Sequence, residues 1–547
     1  MITCTHREHV RPVRPGSNGC EECSKLGERW VRLRMCLTCG HVGCCDSSRG
    51  RHATAHFEAT GHPLMRSAEP GEAWAWCYVD RQGFDTAEVA QEDPPARETR
   101  QLESVGPFVD ALYREFLGRG IEYFFPDARL EVLGAVAERG PLPPGGWART
   151  GELEFDAFGF RYRLSTEGRA FSTDEARLLD SILRVLSARY RVLFDAALAA
   201  QRLHLFLGLP EDRYVSAFLD PTPYAEIAAP SPPPDRVSDA IQVLRVSALT
   251  TYENRRIATG VLLFGGTPED CHPPPSRPPD ALPYSTALTG IRSFHRLCDG
   301  LQTLTLVDRG GFLVELVDVH EWAAAYAGLP LPVPTIDRYA AHSRATLCGG
   351  HVCLVLTPNG EIKIFADGGQ VFSFLDGRWR LTDARAKYAV WRQALGDEQA
   401  AERLFTVALN LAEDRRGALF VILDDSTMAE RIVPAGDLLT VPAAASARSG
   451  KEGLHYLLRG ADLLRIAPSV LESVARMDGA IVSDAAGRLL AFGTILRPAS
   501  GVDPAVAATE GGRTTAALAA SHFGKVLMVS EDGRVSFFQR GRRVWQL

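Results

Sequence analysis

The sequence predicts a multidomain chain of mixed α/β and α+β class, with a small metal-stabilised domain in front and an α/β domain behind. Three observations carry that expectation. Eight of the 12 cysteines lie before residue 80, interleaved with histidines. Polar and Pro-rich breaks at residues 83–100 and around residue 232 divide the remainder of the chain. From residue 385 onward, helix-like and strand-like stretches alternate, the pattern of an α/β sheet. A length of 547 residues has room for three or four domains of roughly 100–200 residues each.

Composition removes some function classes. Apolar residues make up 46%, ordinary for packed cores. No apolar run reaches about 18 residues, so no membrane span is expected. The opening "MITCTHREHVRPVRPG" lacks the apolar stretch of a secretory signal, and a cytoplasmic location is expected. A net charge of −7 argues against a global nucleic-acid grip. Basic residues are 55 Arg against 5 Lys, mostly the codon bias of a GC-rich genome, with phosphate recognition by the arginine fork as the functional alternative.

The front block reads Cys4-x-His6, Cys20-x2-Cys23, Cys36-x2-Cys39, Cys44 with Cys45, His52-x3-His56, His62 and Cys77. A reducing compartment disfavours disulfides, so clustered Cys-x2-Cys pairs beside histidines read as zinc ligands. His-x3-His places two imidazoles one turn apart on a helix face. Tetrahedral zinc takes four ligands, so this set predicts up to three closed, structural zinc sites. Such sites replace a core that about 80 residues hardly build alone. Cys271, Cys298, Cys348 and Cys353 are scattered and read as plain core or loop cysteines.

The stretch "CEECSKLGERWVRLRMCLTCGHVGCCDSSRGRHATAHFEATGHPLMRSAEPGEAWAWCYVD" resembles the UBP-type zinc finger, over residues 1–82. The resemblance implies that Cys20 and Cys23 share a zinc with Cys44 (or Cys45) and His52. It implies that Cys36 and Cys39 share one with His56 and His62. Cys4, His6 and Cys77 would hold a third, with Asp80 where the family has its fourth cysteine. Family members grip the free carboxylate of ubiquitin with an arginine just after the cysteine matching Cys44, plus aromatics matched here by Trp76 and Tyr78. The arginine position reads Asp46 or Ser47, which favours a protein-tail or partner platform over a grip on ubiquitin itself, with a purely structural finger as the alternative.

Residues 83–100 read as a linker. Over 101–205, "FVDALYREFLGRGIEYFF" has helical spacing through Phe108, Leu112, Phe116 and Leu117, and "ELEFDAFGFRYRLS" alternates like a hairpin. Ser172 and Glu175 form a capping box for a helix striped by Leu179, Ile182, Leu186 and Leu193. This order resembles the end of a GAF-like sensor domain, with an α+β spacer as the alternative. Residues 206–380, from "AIQVLRVSALTTYENRRIATGVLLFG" to "FSFLDGRWRL", read as successive strands with Asn-Gly and Asp-Gly turns. They resemble the β-rich sensor modules of multidomain bacterial proteins. His272 beside Cys271 is a weak metal signal.

In residues 385–547, two helices precede a strand opening at Gly417. A further helix through "HYLLRGADLL" and "VLESVAR" leads to a strand launched at Asp478-Gly479-Ala480. Gly511-Gly512 then precedes a small-residue helix, where free N–H groups and the helix dipole favour an anion and Arg513, Thr514 and Thr515 add donors. A carboxylate at Asp478 is suited to a divalent metal beside phosphates. "MDGAIVSDAAGRLLAFGTIL" and "GGRTTAALAASHFGKVLMVSEDG" resemble the two motifs of the diadenylate cyclase domain (DAC, DisA_N-like), Asp-Gly-Ala and Arg-His-Arg. The resemblance implies two domains face to face, each holding ATP with magnesium or manganese, and cyclic di-AMP as product. Asp478 would assist attack by a ribose 3′-hydroxyl, Gly479 and Ala480 would shape the nucleotide floor, and Arg513, Ser530 and Glu531 would lie near the phosphates. Thr514 and Thr515 replace a histidine and an arginine, which implies either a slowed cyclase or a nucleotide sensor; Arg542 and Arg543 are the arginines left to substitute. A zinc-finger adaptor on a scaffold is the remaining reading.

Overall fold

The computed structural model describes residues 4–85, 98–136, 151–439, 451–497 and 511–547, apart from scattered runs of one to three positions. Residues 86–97 of the expected linker and the side chain of Phe108 lie outside the described residues. The chain divides into two compact units, Met1–Ala111 and Leu112–Leu547. Among the described residues, no helix is long and apolar enough to cross a membrane.

In the first unit, Cys20 caps helix α1 (Glu21–Leu26), its sulfur accepting the Cys23 N–H. Strands β1 (Leu33–Cys36) and β2 (Val42–Cys44), helix α2 (His52–Thr60), then β3 (Leu64–Ser67), β4 (Trp74–Cys77) and β5 (Gln82–Asp85) follow. The antiparallel sheet has the order β2-β1-β3-β4-β5. Helix α2 lies so close to β2 that a Cβ on Gly43 would sit 2.6 Å from the Ala53 nitrogen. Strand β5 carries the sheet through Asp85, three residues into the stretch read as linker.

Helix α3 (Glu98–Phe124) precedes β6 (Ala128–Ala135), β7 (Glu152–Ala157) and β8 (Phe160–Thr166), a three-stranded sheet with β8 in the middle. Helix α4 (Thr173–Leu193) starts in the expected capping box of Ser172 and Glu175. Leu179, Ile182 and Leu186 are buried, whereas Leu193, the last residue of the helix, is exposed. After α5 (Pro210–Leu219), the structure corrects one expectation. "AIQVLRVSA" is not a strand but most of helix α6 (Arg236–Ala248), capped by Asp235 accepting the Ser238 N–H. Val237, Ala240, Ile241 and Leu244 recur at helical spacing and are buried.

A short hairpin, β9 (Thr251–Tyr252) and β10 (Arg255–Arg256), leads into a seven-stranded sheet. Its strands are β11 (Thr259–Leu263), β12 (Thr303–Val307), β13 (Leu313–Asp318), β14 (Val352–Leu356), β15 (Ile362–Ala366), β16 (Gly369–Leu375) and β17 (Arg378–Leu381), in the order β13-β12-β11-β14-β15-β16-β17. Helices α7 (Val319–Ala324) and α8 (Ala340–Ala345) bridge β13 and β14.

Helices α9 (Ala384–Leu395) and α10 (Glu398–Glu413) introduce the last sheet. It holds β18 (Ala418–Leu423), β19 (Ala480–Asp484), β20 (Leu489–Thr494), β21 (Gly524–Val529), β22 (Val535–Gln539) and β23 (Arg542–Gln546), in the order β20-β19-β18-β21-β22-β23. Every residue of β18 is buried. Ala418, Phe420 and Ile422 face one core with Trp391, Phe405 and Leu411; Leu419, Val421 and Leu423 face the other with Ala517 and Ala520 of α12 (Gly512–Ala520). A strand covered on both faces reads as a continuous apolar run, and this is the central layer of an α/β sandwich. The helix expected before β19 is broken: a 3-10 segment Lys451–Leu457 and a separate helix α11 (Pro468–Ala475) flank Gly460, whose φ is 75°, and Pro468 opens the second helix.

Candidate metal centres and nucleotide edge

The first unit gathers its ligand atoms into three clusters, each within 4.8 Å: Cys20, Cys23, Cys44 and His52; Cys36, Cys39, His56 and His62; Cys4, His6, Cys77 and Asp80. In the first, His52 Nδ1 lies 3.2 Å from the sulfurs of Cys20 and Cys23 and 3.4 Å from that of Cys44. Cys23 and Cys44 sulfurs are 3.8 Å apart. A tetrahedron with Zn–S bonds of about 2.3 Å has an edge of about 3.8 Å, so the donors fit zinc in number, type and spacing. Cys45 stands outside, its sulfur 3.6 Å from Ser48 Oγ, which settles the cluster on Cys44. In the second cluster, Cys39 Sγ and His62 Nδ1 are each 3.3 Å from His56 Nε2. His52 and His56, one turn apart on α2, therefore serve two different sites. In the third, Asp80 Oδ2 lies 2.9 Å from His6 Nδ1 and 3.6 Å from Cys77 Sγ. Burial and neighbouring groups push the Cys4 thiol up to about 11 and the Cys23 thiol up to about 12 in the metal-free chain. Zinc binding displaces those protons.

Around the finger's expected recognition face, Asp46 accepts a hydrogen bond from Thr54 Oγ1, which lies 3.2 Å from the Tyr78 hydroxyl. Tyr78 stacks on Phe57 at 4.8 Å. Burial, and then the Asp46 charge, push its phenol up to about 12. A carboxylate thus stands near Tyr78, where the family resemblance leads one to expect an arginine. Arg34 is spread over the Trp74 ring at 4.4 Å.

In the C-terminal domain, Asp478 stands exposed just before β19. Gly479 has φ 112°, and a Cβ there would lie 2.6 Å from the Thr494 nitrogen, so only glycine lets the start of β19 close on the end of β20. The parallel register sets Leu419 beside Ala480, which puts Gly417 level with Asp478. Arg513 lies over Gly417: a Cβ there would be 2.2 Å from its Nη1. That same Nη1 donates to Glu531 Oε1 at 2.8 Å. Asp478, Gly417, Arg513 and Glu531 thus occupy one end of the sheet.

Gly511 is the N-cap of α12 and supplies no capping side chain. Of the other expected donors, Thr514 Oγ1 contacts Met528 Sδ at 3.8 Å and Thr515 Oγ1 the Gly511 carbonyl at 3.5 Å. Ser530 Oγ accepts from the Arg534 N–H at 3.2 Å and fixes a turn. Arg542 and Arg543 open β23, beyond β21 and β22 from β18 and at the opposite end of the sheet, so they do not stand in for the missing cations. Two residues were not expected at this edge: Gly417, read from the sequence only as the opening of a strand, and Arg415, whose Nη1 donates to the Asp532 carbonyl. His272 stacks on Trp322 at 3.8 Å, and among the described residues neither it nor Cys271 joins a metal cluster.

The two ends therefore define a zinc-cluster module and an α/β domain with an anion-suited edge. Residues 20–88 match the family of the Zn-finger in ubiquitin-hydrolases and other protein, and residues 406–543 match the nucleotide-binding domain of the DisA bacterial checkpoint controller. The chain carries a UBP-type zinc finger and a DAC diadenylate cyclase domain. Among curated proteins, it is 41% identical over 60 residues to the NAD-dependent deacetylase sir2A of Dictyostelium discoideum, covering 11% of this chain and 10% of that one. It is 36% identical over 76 residues to ubiquitin carboxyl-terminal hydrolase 14 of Schizosaccharomyces pombe, covering 12% and 9%. The chain thus spans about a tenth of these relatives. Among solved structures, protein RPA1320 of Rhodopseudomonas palustris is 50% identical, covering 17% of this chain and 91% of that one, with a TM-score of 0.16. DacA of Staphylococcus aureus is 19% identical, covering 27% and 86%, with a TM-score of 0.19.

Proposed function

We propose that residues 385–547 bind ATP or a related nucleotide at the sheet end holding Asp478 and Arg513, and condense two ATP to cyclic di-AMP. The observation that carries this reading is the exposed Asp478 carboxylate level with Gly417, over which Arg513 lies. The match of residues 406–543 to the DAC family supports it. Gly479 and Ala480 form the floor, and the first-turn N–H groups of α12 with Arg513 meet the phosphates. Asp478 orients a ribose 3′-hydroxyl and accepts its proton as the oxygen bonds to the α-phosphorus of a second ATP and pyrophosphate leaves. The Asp478 carboxylate is also the group that would hold magnesium or manganese, which supplies charge neutralisation on the phosphates. Because each ATP attacks the other, two such domains must face each other, and homo-oligomerisation follows. Incubation with ATP and manganese tests this: cyclic di-AMP from the wild type and none from Asp478→Ala is expected. No dinucleotide from either overturns synthesis.

A second reading has its own observation. Thr514 is turned to Met528, Thr515 to Gly511, and Glu531 answers the Arg513 charge. Such an edge binds a nucleotide more readily than it turns one over. Calorimetry with ATP and cyclic dinucleotides distinguishes the two: binding without product marks a sensor, and silence toward all of them removes both. In either case the zinc finger serves as a platform for a partner protein tail, and residues 101–380 regulate the C-terminal domain. Pull-down with free-tailed peptides tests the platform.

A further inference from the structure

The two large sheets repeat each other. In the last sheet β18 and β19 run parallel, β20 pairs antiparallel outside β19, and β21, β22 and β23 follow antiparallel on the other side. In the middle sheet β11, β12, β13, β14, β15 and β16 make the same pairings in the same order, with β17 added at the edge.

The turns repeat too. Asp308 N–H donates to the Phe312 carbonyl and Asp308 Oδ1 accepts from the N–H groups of Gly310 and Phe312; Asp484 does the same with Arg488 and Ala486. Thr357 N–H donates to the Glu361 carbonyl while its Oγ1 accepts the Glu361 N–H; Ser530 and Arg534 copy both bonds. Gly360 and Gly533 share φ 82°. Asp367-Gly368 and Arg540-Gly541 are left-handed pairs at the next turn. Even a side chain recurs: Arg256 Nη1 donates to the Asn359 carbonyl, and Arg415 Nη1 to the Asp532 carbonyl. One such turn is common in unrelated sheets. Three at the same places, with the same arginine, are not.

We infer that residues 236–381 are a second copy of the fold of residues 398–547, with its ligand edge closed, so that each chain binds one nucleotide. Counting back from the matched Asp308 and Asp484, the place of Asp478 is taken by Gln302. The nearest carboxylate, Asp299, accepts from the N–H groups of Leu301, Gln302 and Thr303 at 2.9, 2.8 and 3.0 Å and is consumed by its own loop. Ala258 replaces Gly417 and Pro358 replaces Glu531. The segment leading into α8 is covered by the other copy: Asp337 N–H donates to Asn410 Oδ1 at 2.9 Å, and Asn410 Nδ2 donates to Asp337 Oδ2 at 2.7 Å. The closed copy is thereby a built-in partner for α10.

The stoichiometry rests on the nucleotide reading above; the duplication does not. Binding of a non-hydrolysable ATP analogue to the full chain is measured by calorimetry for wild type, Asp478→Ala and Asp299→Asn. One site per chain is expected, weakened about tenfold or more by Asp478→Ala and unchanged within about twofold by Asp299→Asn. Two sites, or loss of one on Asp299→Asn, overturn the closed edge. Absence of binding in all three removes the nucleotide reading and the stoichiometry with it. The duplication is decided separately by an experimental structure of the full chain: residues 259–375 overlaying residues 418–546 strand for strand support it, and a different strand order overturns it.

Discussion

Arg513 donates through Nη1 to Glu531 Oε1 across 2.8 Å, so the cation at the anion-suited end of the last sheet is already answered by a carboxylate. The pair is largely exposed, where such pairs contribute roughly 0.2–1 kcal/mol. Phosphates therefore compete with Glu531 at small cost. Glu531→Gln is expected to tighten ATP about two- to fivefold, and Arg513→Ala to weaken it about 10- to 100-fold through loss of a charge-assisted bond. Equal affinities across the three proteins in calorimetry would place the phosphates elsewhere.

Gly417→Ala puts a methyl group where Arg513 Nη1 now lies, 2.2 Å from the new carbon. Gly417 has no left-handed φ, so the backbone tolerates alanine and the guanidinium has to move. Weaker ATP binding with an unchanged melting temperature is the expected result. A lowered melting temperature with unchanged binding would contradict it.

Metal analysis of the purified protein should return three zinc ions per chain. Asp80→Ala should return two, because carboxylate oxygen is replaced by nothing and three donors do not close a structural site. Cys44→Ser should also lose one, while Cys45→Ser should keep all three. Chelation should abolish hydrogen-exchange protection across β1 to β4 and leave that of β18 to β22 intact.

Burial pushes the His342 imidazole down from 6.5 to about 4, and its Nε2 lies 2.9 Å from the Gly300 carbonyl. Between those values the unfolded chain binds a proton that the folded chain refuses. Stability is full above about pH 6.5 and falls as pH falls toward 4. His342→Gln keeps an amide donor for Gly300 and does not titrate. Calorimetric melts should show the variant losing roughly 3 kcal/mol less than wild type between pH 7 and 4; parallel losses would contradict the assignment.

How much of this was legible depends on what each feature needs from the sequence. Zinc ligands need particular side chains at short spacings, so the eleven Cys and His residues that the structure gathers into three clusters could be named from the chain. The choice between Cys44 and Cys45 could not, because neighbouring side chains at a strand end point to opposite faces. Asp80 was legible only by its place in the family pattern, since carboxylates are common without metals. Helix α6 was misread because an apolar run such as "AIQVLRVSA" fits a buried helix and a buried strand alike; the Asp235 cap was the clue. The Arg513–Glu531 pair joins residues 18 positions apart across α12 and β21, which spacing alone does not reveal. The repeated sheets left almost no trace. "TPNGE" and "SEDGR" share one glycine, because backbone hydrogen bonds, not side-chain identities, specify that turn.

Lys363 on β15 lies 3.0 Å from Glu413 at the end of α10, with both side chains nearly shut off from water. Val333, from the segment between α7 and α8, sits in the same core as Leu404 and Leu411 of α10. Lys363 also lies 3.0 Å from Glu361, so this buried amine is shared between two carboxylates. Held to the middle sheet by these contacts, α10 ends two residues before Arg415, the residue clasping the Asp532 turn. The last turn of one helix is thus a seam shared by both sheets, with Lys363 on one side and the Asp532 turn on the other.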